Sequence, residues 1–236
     1  MTYIMNFGGI QWTTTLDYPG EIATILFTQG CNMRCGFCHN SSIVSGDSTK
    51  YRDEDVIEKL LKRKHLIDHI VITGGEPSLH DMEMIEFMEK LKKEGFKIKL
   101  DTNGLNPDFL FNVIYLNLVD YIAMDIKTIF LTDKYSEITG INITEEKIDD
   151  LKHSVRTILH ARHCKSEFRT TVIKTYHTKE ILNKIASLGL PNHYFQQFVK
   201  SDKIFDSSLS KYSDTELELI VTKIQERYPN IFLRGI

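Results

Sequence analysis

CNMRCGFC, residues 31–38, holds three of the chain's four cysteines in a C-x₃-C-x₂-C run. Three thiolates at this spacing can bind three irons of a [4Fe–4S] cube, which leaves the fourth iron open to another ligand. A disulfide framework is disfavoured, because the run holds an odd number of cysteines and no secretory signal precedes it. The run therefore predicts that Cys31, Cys35 and Cys38 bind metal, first of all as one iron–sulfur cluster.

A structural zinc site is the competing interpretation of the same cysteines. Such sites usually add a second ligand pair farther along the chain. The nearest candidates are His39, directly after Cys38, and the distant Cys164 with His160 and His163 close to it in sequence. Because His39 lies too near Cys38 to complete a tetrahedron easily without straining the loop, zinc is the weaker hypothesis.

Length and composition predict one globular enzyme domain, residues 1–236, with 42% hydrophobic and 26% charged residues and a net charge of −3. No basic run indicates nucleic-acid binding, and no apolar stretch approaches the ~18 residues of a membrane span. Residues 1–6 carry neither the charged nor the apolar region of a signal peptide. Clustered free thiols then predict a reducing, cytoplasmic location.

Predicted strands alternate with predicted helices along the chain. Short apolar, β-branched runs predict strands at residues 22–28, 69–73, 97–101, 119–126, 168–174, 194–199 and 231–233. Helices are predicted at residues 53–64, 81–94, 145–162, 179–188 and 215–228, with another opened by Pro107. This alternation predicts an α/β fold with a parallel sheet, and about six units suit an open, partial (β/α)6 barrel. Residues 41–49 (SSIVSGDST) are the most loop-like segment.

Polar residues stand at the ends of these strands, where parallel sheets place their chemistry. After the cysteine run come GGEP (residues 74–77), DTNG (residues 101–104), Asp125 with Lys127, Arg169 and Gln197. Each of them alone is compatible with an ordinary turn, a surface ion pair or a satisfied strand residue. Their position at one edge of the sheet, beside three cysteines, predicts a single site.

These motifs resemble the radical S-adenosylmethionine (SAM) superfamily and, more narrowly, the activating enzymes of glycyl radical enzymes. WTTTLDYPG (residues 12–20) and FTQGCNMRCGFCHN (residues 27–40) are especially similar to one branch, the activating proteins of anaerobic ribonucleoside-triphosphate reductase. DTNG, the D-x-K pair and FRTT (residues 168–171) match the same group. The resemblance extends from Gly8 to about Val199 and implies a single partial barrel of the radical SAM type.

The resemblance implies one [4Fe–4S] cluster on Cys31, Cys35 and Cys38, with SAM chelating the fourth iron. An electron from the cluster would cleave SAM into methionine and a 5′-deoxyadenosyl radical. The protein would contribute placement and exclusion of water.

The same resemblance implies which residues bind SAM. Gly74 and Gly75 would let the backbone approach the methionine end closely, and Glu76 would accept a hydrogen bond from its ammonium group. Phe37 would lie against the adenine, and Asn103 would bind the cofactor from the DTNG loop.

Charged residues would surround the rest of the cofactor. Lys127 and Arg169 are candidates for the carboxylate or the ribose of SAM. Asp101 and Asp125 would bind ribose hydroxyls or, as in some relatives, help to hold a monovalent cation. Gln197 stands near where some relatives carry a histidine, so it is either a cofactor contact or a satisfied polar strand residue.

The reaction implied is removal of a hydrogen atom from a glycine Cα of a partner enzyme, with anaerobic ribonucleoside-triphosphate reductase as the expected partner. Since the chain has no further cysteine cluster, flavodoxin or ferredoxin is the expected electron donor. The alternatives are another glycyl radical enzyme as partner, and a radical enzyme for a small molecule, similar to 7-carboxy-7-deazaguanine synthase. A regulatory or scaffold protein that binds zinc or an iron–sulfur cluster also remains.

Overall fold

The computed structural model describes residues 5–46 and 50–236. Strands β1 to β9 are Asn6–Thr14, Ala23–Thr28, Tyr51–Arg52, His69–Gly74, Lys97–Thr102, Tyr121–Asp125, Lys165–Val172, His193–Gln197 and Ile231–Arg234. Helices α1 to α8 are Ser41–Ser45, Asp53–Arg63, Asp81–Lys93, Pro107–Tyr115, Thr132–Thr139, Glu145–His160, Lys179–Ala186 and Asp214–Gln225, and a 3₁₀ helix spans Pro77–His80. Within the described ranges, no helix is long and apolar enough to cross a membrane.

The described residues fall into two compact units, each assembled from separate stretches of chain. The first unit contains residues up to Asn32, those between Ser42 and Ala123, and Asp150–Lys165. The second unit contains Met33–Ser41, Met124–Asp149 and Ser166–Ile236. Because neither unit is continuous in sequence, the chain offers no simple linker at which it could be divided, and the single domain stays a prediction.

A largely parallel sheet organises the first unit. Strands β2, β4 and β5 run parallel, with Ala23 opposite His69 and His69 opposite Lys97. Strand β1 lies antiparallel to β2 and to β3, which gives the order β3-β1-β2-β4-β5. The central runs of β2 and β4 are apolar and buried, as in parallel strands covered on both faces. Since Thr28 and Gly74 are paired at the carboxyl ends of β2 and β4, the loops that follow these strands start side by side.

Three parallel strands form the sheet of the second unit. Strands β7, β8 and β9 are neighbours in that order, with Phe168 opposite His193 and His193 opposite Ile231. Arg234 on β9 donates two hydrogen bonds, of 3.0 and 2.9 Å, to the buried carboxylate of Glu167 on β7. This bidentate pair anchors β9 in the sheet, because such a fork fixes both distance and orientation.

The predicted α/β alternation is confirmed, since each predicted strand and helix is present within a few residues of its predicted ends. The prediction missed β1, β3 and α5, and it treated residues 41–49 as loop. Ser41–Ser45 form α1 instead, and residues 47–49 lie outside the described ranges. Strand β1 contains Gly8 and Gly9, which have low strand propensity, so its pairing with β2 and β3 rather than its sequence identifies it as a strand.

A buried histidine makes the stability of the second unit depend on pH. The Thr170 hydroxyl donates to the Ile126 carbonyl at 2.7 Å and accepts from His193 Nε2 at 2.9 Å, so Nε2 carries a proton. His193 Nδ1 is buried and has no hydrogen-bond partner among the described residues. Burial lowers the pKa of His193 to about 3.

We expect the free energy of unfolding to fall as the pH falls from about 6.5 towards 3. In that window the unfolded chain binds a proton at His193 and the folded chain does not. The free energy of unfolding therefore decreases by about 1.4 kcal/mol for each unit by which the pH is lowered. Urea denaturation at pH 7 and pH 5 should therefore show a loss of about 2 kcal/mol from this residue. His193→Gln should remove that part of the difference, and an unchanged difference would contradict the assignment.

Candidate active site

The cysteine run forms the loop after β2. Gly30 opens it with a φ of +77° and donates a hydrogen bond to the Ile43 carbonyl at 3.2 Å. Farther along, Cys38 N–H donates to the Cys35 carbonyl at 3.0 Å, which closes a tight turn. Cys31 and Cys38 are half-buried and Cys35 is buried. The part of the loop up to Asn32 belongs to the first unit and the part from Met33 to the second, and a backbone hydrogen bond fixes each part locally.

The thiols of this loop suit iron–sulfur ligation by their chemistry. All four cysteines of the chain are free thiols, and three of them lie within these eight residues. Burial raises the pKa of the Cys35 thiol, while the nearby Lys127 ammonium opposes that effect. Among residues 5–46 and 50–236, no three His, Cys, Asp or Glu side chains are placed to hold one metal ion. Soft thiolates in this number fit a cluster that uses one thiolate per iron.

The GGEP loop after β4 lies along the start of the cysteine loop. Gly75 N–H donates to the Thr28 carbonyl at 2.9 Å, and Glu76 N–H donates to the Gly30 carbonyl at 2.8 Å. Gly74 has a φ of +120°, a backbone conformation that favours glycine. The two glycines thus allow the β4 loop to contact the backbone that leads into the cysteines.

Glu76 is a buried link between loops. Its carboxylate accepts hydrogen bonds from Ser78 N–H at 3.1 Å, from the Thr102 hydroxyl at 2.8 Å and from Asn103 N–H at 2.7 Å. Burial raises the pKa of Glu76, and these hydrogen bonds partly offset that effect. Asn103 Nδ2 in turn donates to Asn32 Oδ1 at 2.7 Å. Glu76 therefore fixes the DTNG loop, and Asn103 connects this loop to the residue after Cys31.

Lys99 is a residue of this region that the sequence analysis missed. Lys99 is only 1% exposed, and its ammonium donates to the Asp101 carboxylate and lies 5.8 Å from the centre of the Tyr121 ring. The available signal was a lysine at an interior position of a buried strand, where an apolar residue is expected. Asp101 thus has a cationic partner supplied by its own strand.

Three predicted residues meet in the second unit. The Asp125 carboxylate accepts from Lys127 Nζ and from Arg169 Nε, each at 2.9 Å. Burial alone would raise the pKa of Asp125, but the two cations outweigh it and lower that pKa to about 2. Burial alone would lower the pKa of Lys127, but the attraction of Asp125, the nearby Cys35 and the hydrogen bond to Asp125 together raise it. At neutral pH all three groups are therefore charged.

Two buried side chains hold the backbone of Lys127. Its N–H donates to the Tyr135 hydroxyl at 3.1 Å, and its carbonyl accepts from His177 Nε2 at 2.8 Å. The Lys127 ammonium lies 5.6 Å from the centre of the Phe37 ring, one residue before Cys38. No sequence motif marks Tyr135 or His177, because Tyr135 lies in α5, which has few apolar residues, and His177 lies outside every motif.

Gln197 is anchored by its amide nitrogen. Nε2 donates to the Tyr212 carbonyl and to Asp214 Oδ1, both at 3.0 Å, while the buried Oε1 has no partner within the described part of the chain. The amide nitrogen of Gln197 thus has a structural role, whereas its amide oxygen makes no hydrogen bond within the described residues.

Comparison with known proteins agrees with this geometry. The family model described as "Radical SAM superfamily" matches residues 25–200. A Methanocaldococcus jannaschii protein whose name assigns it to the glycyl-radical enzyme activating enzymes is 30% identical, over 97% of this chain and 95% of its own length. A pyruvate formate-lyase-activating enzyme of Listeria monocytogenes is 35% identical over 51% of this chain, a match that spans about half (52%) of that relative.

Solved structures share the fold at low sequence identity. Streptococcus suis SuiB bound to S-adenosylmethionine has a TM-score of 0.66 and 13% identity, and the match covers 88% of this chain and 48% of that one. QueE from Escherichia coli has a TM-score of 0.56 and 14% identity, with 99% of this chain and 95% of that one covered. These likenesses confirm the predicted fold class, an α/β structure with a mostly parallel sheet of the radical SAM type.

Proposed function

The chain belongs to the radical SAM superfamily and, within it, to the glycyl-radical enzyme activating enzymes, and we propose on this basis that its partner is an anaerobic ribonucleoside-triphosphate reductase. The observation that favours this partner is the resemblance of residues 12–20 and 27–40 to that branch. The matches to pyruvate formate-lyase-activating enzymes favour a second candidate, activation of pyruvate formate-lyase.

Cys31, Cys35 and Cys38 would hold the [4Fe–4S] cluster, which supplies the electron for reductive cleavage of SAM into methionine and a 5′-deoxyadenosyl radical. The free thiols of all four cysteines support a reducing, cytoplasmic location. Flavodoxin or ferredoxin is the proposed electron donor.

The residues around the cysteines would bind and orient SAM. Lys127 and Arg169 present two cations in fixed positions, because Asp125 pairs with both of them. These cations suit the carboxylate of the methionine end. Phe37 offers a flat apolar face, and the Gly74–Gly75 backbone permits close approach of the ligand. The chain thereby supplies placement, which is the protein's share of cofactor chemistry.

The resemblance implies a monovalent cation beside Asp101 and Asp125, but the lysine partners of both carboxylates offer another source of the same positive charge. Lys99 already gives Asp101 an ammonium partner. We therefore expect SAM cleavage by the wild-type enzyme to be equal in sodium, potassium and tetramethylammonium salts. In Lys99→Met the half-buried Asp101 carboxylate loses this partner, so cleavage should fall more than about tenfold in tetramethylammonium and recover with sodium or potassium.

The matched control for this prediction is Lys97→Met on the same strand. Lys97 is exposed and pairs with Asp120 rather than Asp101, so its loss should leave the salt profile unchanged. A wild-type enzyme that already requires a small monovalent cation would contradict the view that Lys99 provides the positive charge.

The partner is tested by anaerobic incubation of the reconstituted enzyme with SAM and a reductant, with each candidate in parallel. Electron paramagnetic resonance (EPR) should show a glycyl radical on the anaerobic reductase, and 5′-deoxyadenosine should form in equal amount. A radical on pyruvate formate-lyase alone would overturn the proposed partner and establish the second candidate. Radical formation on neither enzyme would overturn both.

A further inference from the structure

A groove of about 600 Å³ lies between α4 and the end of α6 in the first unit, and none of its lining residues is among those assigned to SAM. Its lining comes from residues 111–117 and 153–163. The volume lies in the range of about 300–1,000 Å³ that is typical of small-molecule sites. We propose that this groove binds a nucleoside phosphate, a ligand with a flat aromatic ring and an anionic tail.

Two exposed aromatic rings form the apolar side of the groove. Phe111 and Tyr115 are 54% and 72% exposed, although both belong to α4, whose opposite face is buried through Phe109 and Val113. Their rings are stacked, with centres 5.8 Å apart and planes at 11°. An exposed pair of parallel rings offers a face on which a nucleobase can stack, and each base–aromatic contact contributes about 1–3 kcal/mol.

Cationic and imidazole groups form the other side. Arg156 and three histidines, His153, His160 and His163, line the groove, and no Asp or Glu is among its lining residues. Within the described ranges, the Arg156 guanidinium makes no ion pair, so its donors can meet a phosphate. His160 Nδ1 donates to the Arg156 carbonyl at 2.7 Å, which leaves Nε2 as the ring nitrogen that can contact a ligand.

These histidines do not form a metal centre in the structure. In the part of the chain that the structure describes, no three His, Cys, Asp or Glu side chains are placed to hold a metal ion. An aromatic face beside an arginine, with no carboxylate in the lining, is instead complementary to a ring that carries phosphate groups. The inference concerns helices α4 and α6 and does not depend on the partner proposed above.

The test is isothermal titration of the anaerobically reconstituted enzyme with ATP in the presence of saturating SAM. Saturating SAM keeps ATP out of the site that recognises the adenosine of SAM. We expect one ATP per chain, binding weakened about tenfold or more by Arg156→Gln and by Tyr115→Ala. Arg162→Gln is the matched control, because Arg162 is an exposed arginine close in sequence that does not line the groove. All three variants should cleave SAM like the wild type.

Two further probes, adenosine and inorganic tripolyphosphate, test recognition of the nucleoside and of the phosphate groups separately. Adenosine and inorganic tripolyphosphate should each bind more weakly than ATP, because each contacts only one side of the groove. Tripolyphosphate binding as tightly as ATP would overturn the nucleoside part of the proposal. No ATP binding, or binding that Arg156→Gln and Tyr115→Ala leave unchanged, would overturn the site itself. Absence of ATP binding together with loss of radical transfer to the partner enzyme in these variants would assign the groove to protein docking instead.

Discussion

Replacing Cys35 with alanine is expected to abolish cluster binding and to reduce 5′-deoxyadenosine formation to the level of protein-free buffer. Cys35 is the most buried thiol of the run, and its loss leaves two thiolates for a cluster that needs three. The visible absorbance of the cluster and the iron content after anaerobic reconstitution report binding. Chromatography of 5′-deoxyadenosine reports the reaction.

Cys164→Ala is the matched control for this substitution. Cys164 lies after α6 in the first unit, and burial raises the pKa of its thiol to about 11, so it is a poor source of thiolate. This variant should bind iron and cleave SAM like the wild type. A Cys35→Ala protein that keeps its iron, or a Cys164→Ala protein that loses it, would contradict the assignment of the ligands.

Replacing Gly75 with alanine is expected to destabilise the protein by about 3 kcal/mol or more and to abolish SAM cleavage. A Cβ added at Gly75 would lie 1.6 Å from the Gly30 carbonyl oxygen, a backbone atom that cannot rotate away. The GGEP loop would have to move, which breaks the hydrogen bonds from Gly75 to Thr28 and from Glu76 to Gly30. Urea denaturation measures the first effect and 5′-deoxyadenosine the second.

Gly20→Ala separates lack of space from backbone strain. Gly20 has a φ of +83°, and a Cβ there would meet no atom within 4 Å. Only the strain of the left-handed conformation remains, and this costs about 1–2 kcal/mol. Gly20→Ala should therefore keep SAM cleavage. If Gly75→Ala proves no more destabilising than Gly20→Ala, the close approach of the GGEP loop to Gly30 is wrong.

The core strands and helices can be predicted from the sequence, because the hydrophobic patterns that identify them are local. Buried parallel strands such as HIVIT are apolar and β-branched, and amphipathic helices such as α2 have an apolar stripe, so periodicity alone identifies them. Strand β1 and helix α5 cannot be predicted in this way, because their local sequence patterns are weak. Strand β1 contains two consecutive glycines, and α5 (TDKYSEIT) has few apolar residues. Both take their structure from tertiary contacts that periodicity does not report.

In the candidate site, too, the sequence predicts some features and not others. Motifs identified Glu76 after a predicted strand, Asp125 at the end of one and Arg169 within one, but not what each contacts. That Glu76 is a buried link between loops depends on contacts between segments distant in sequence. Lys99 and Asp101 are two residues apart on one strand, but that their side chains form an ion pair also depends on how they pack. Such contacts need coordinates, since strand spacing sets only the edge at which a side chain emerges.

The most direct test of this account is the product of the wild-type enzyme with SAM. The protein is reconstituted anaerobically with iron and sulfide, reduced with dithionite and analysed for 5′-deoxyadenosine and methionine. The account predicts about four irons per chain, the number in one [4Fe–4S] cluster, and both products in equal amounts. A protein that takes up zinc in place of a cluster and forms no 5′-deoxyadenosine would contradict it.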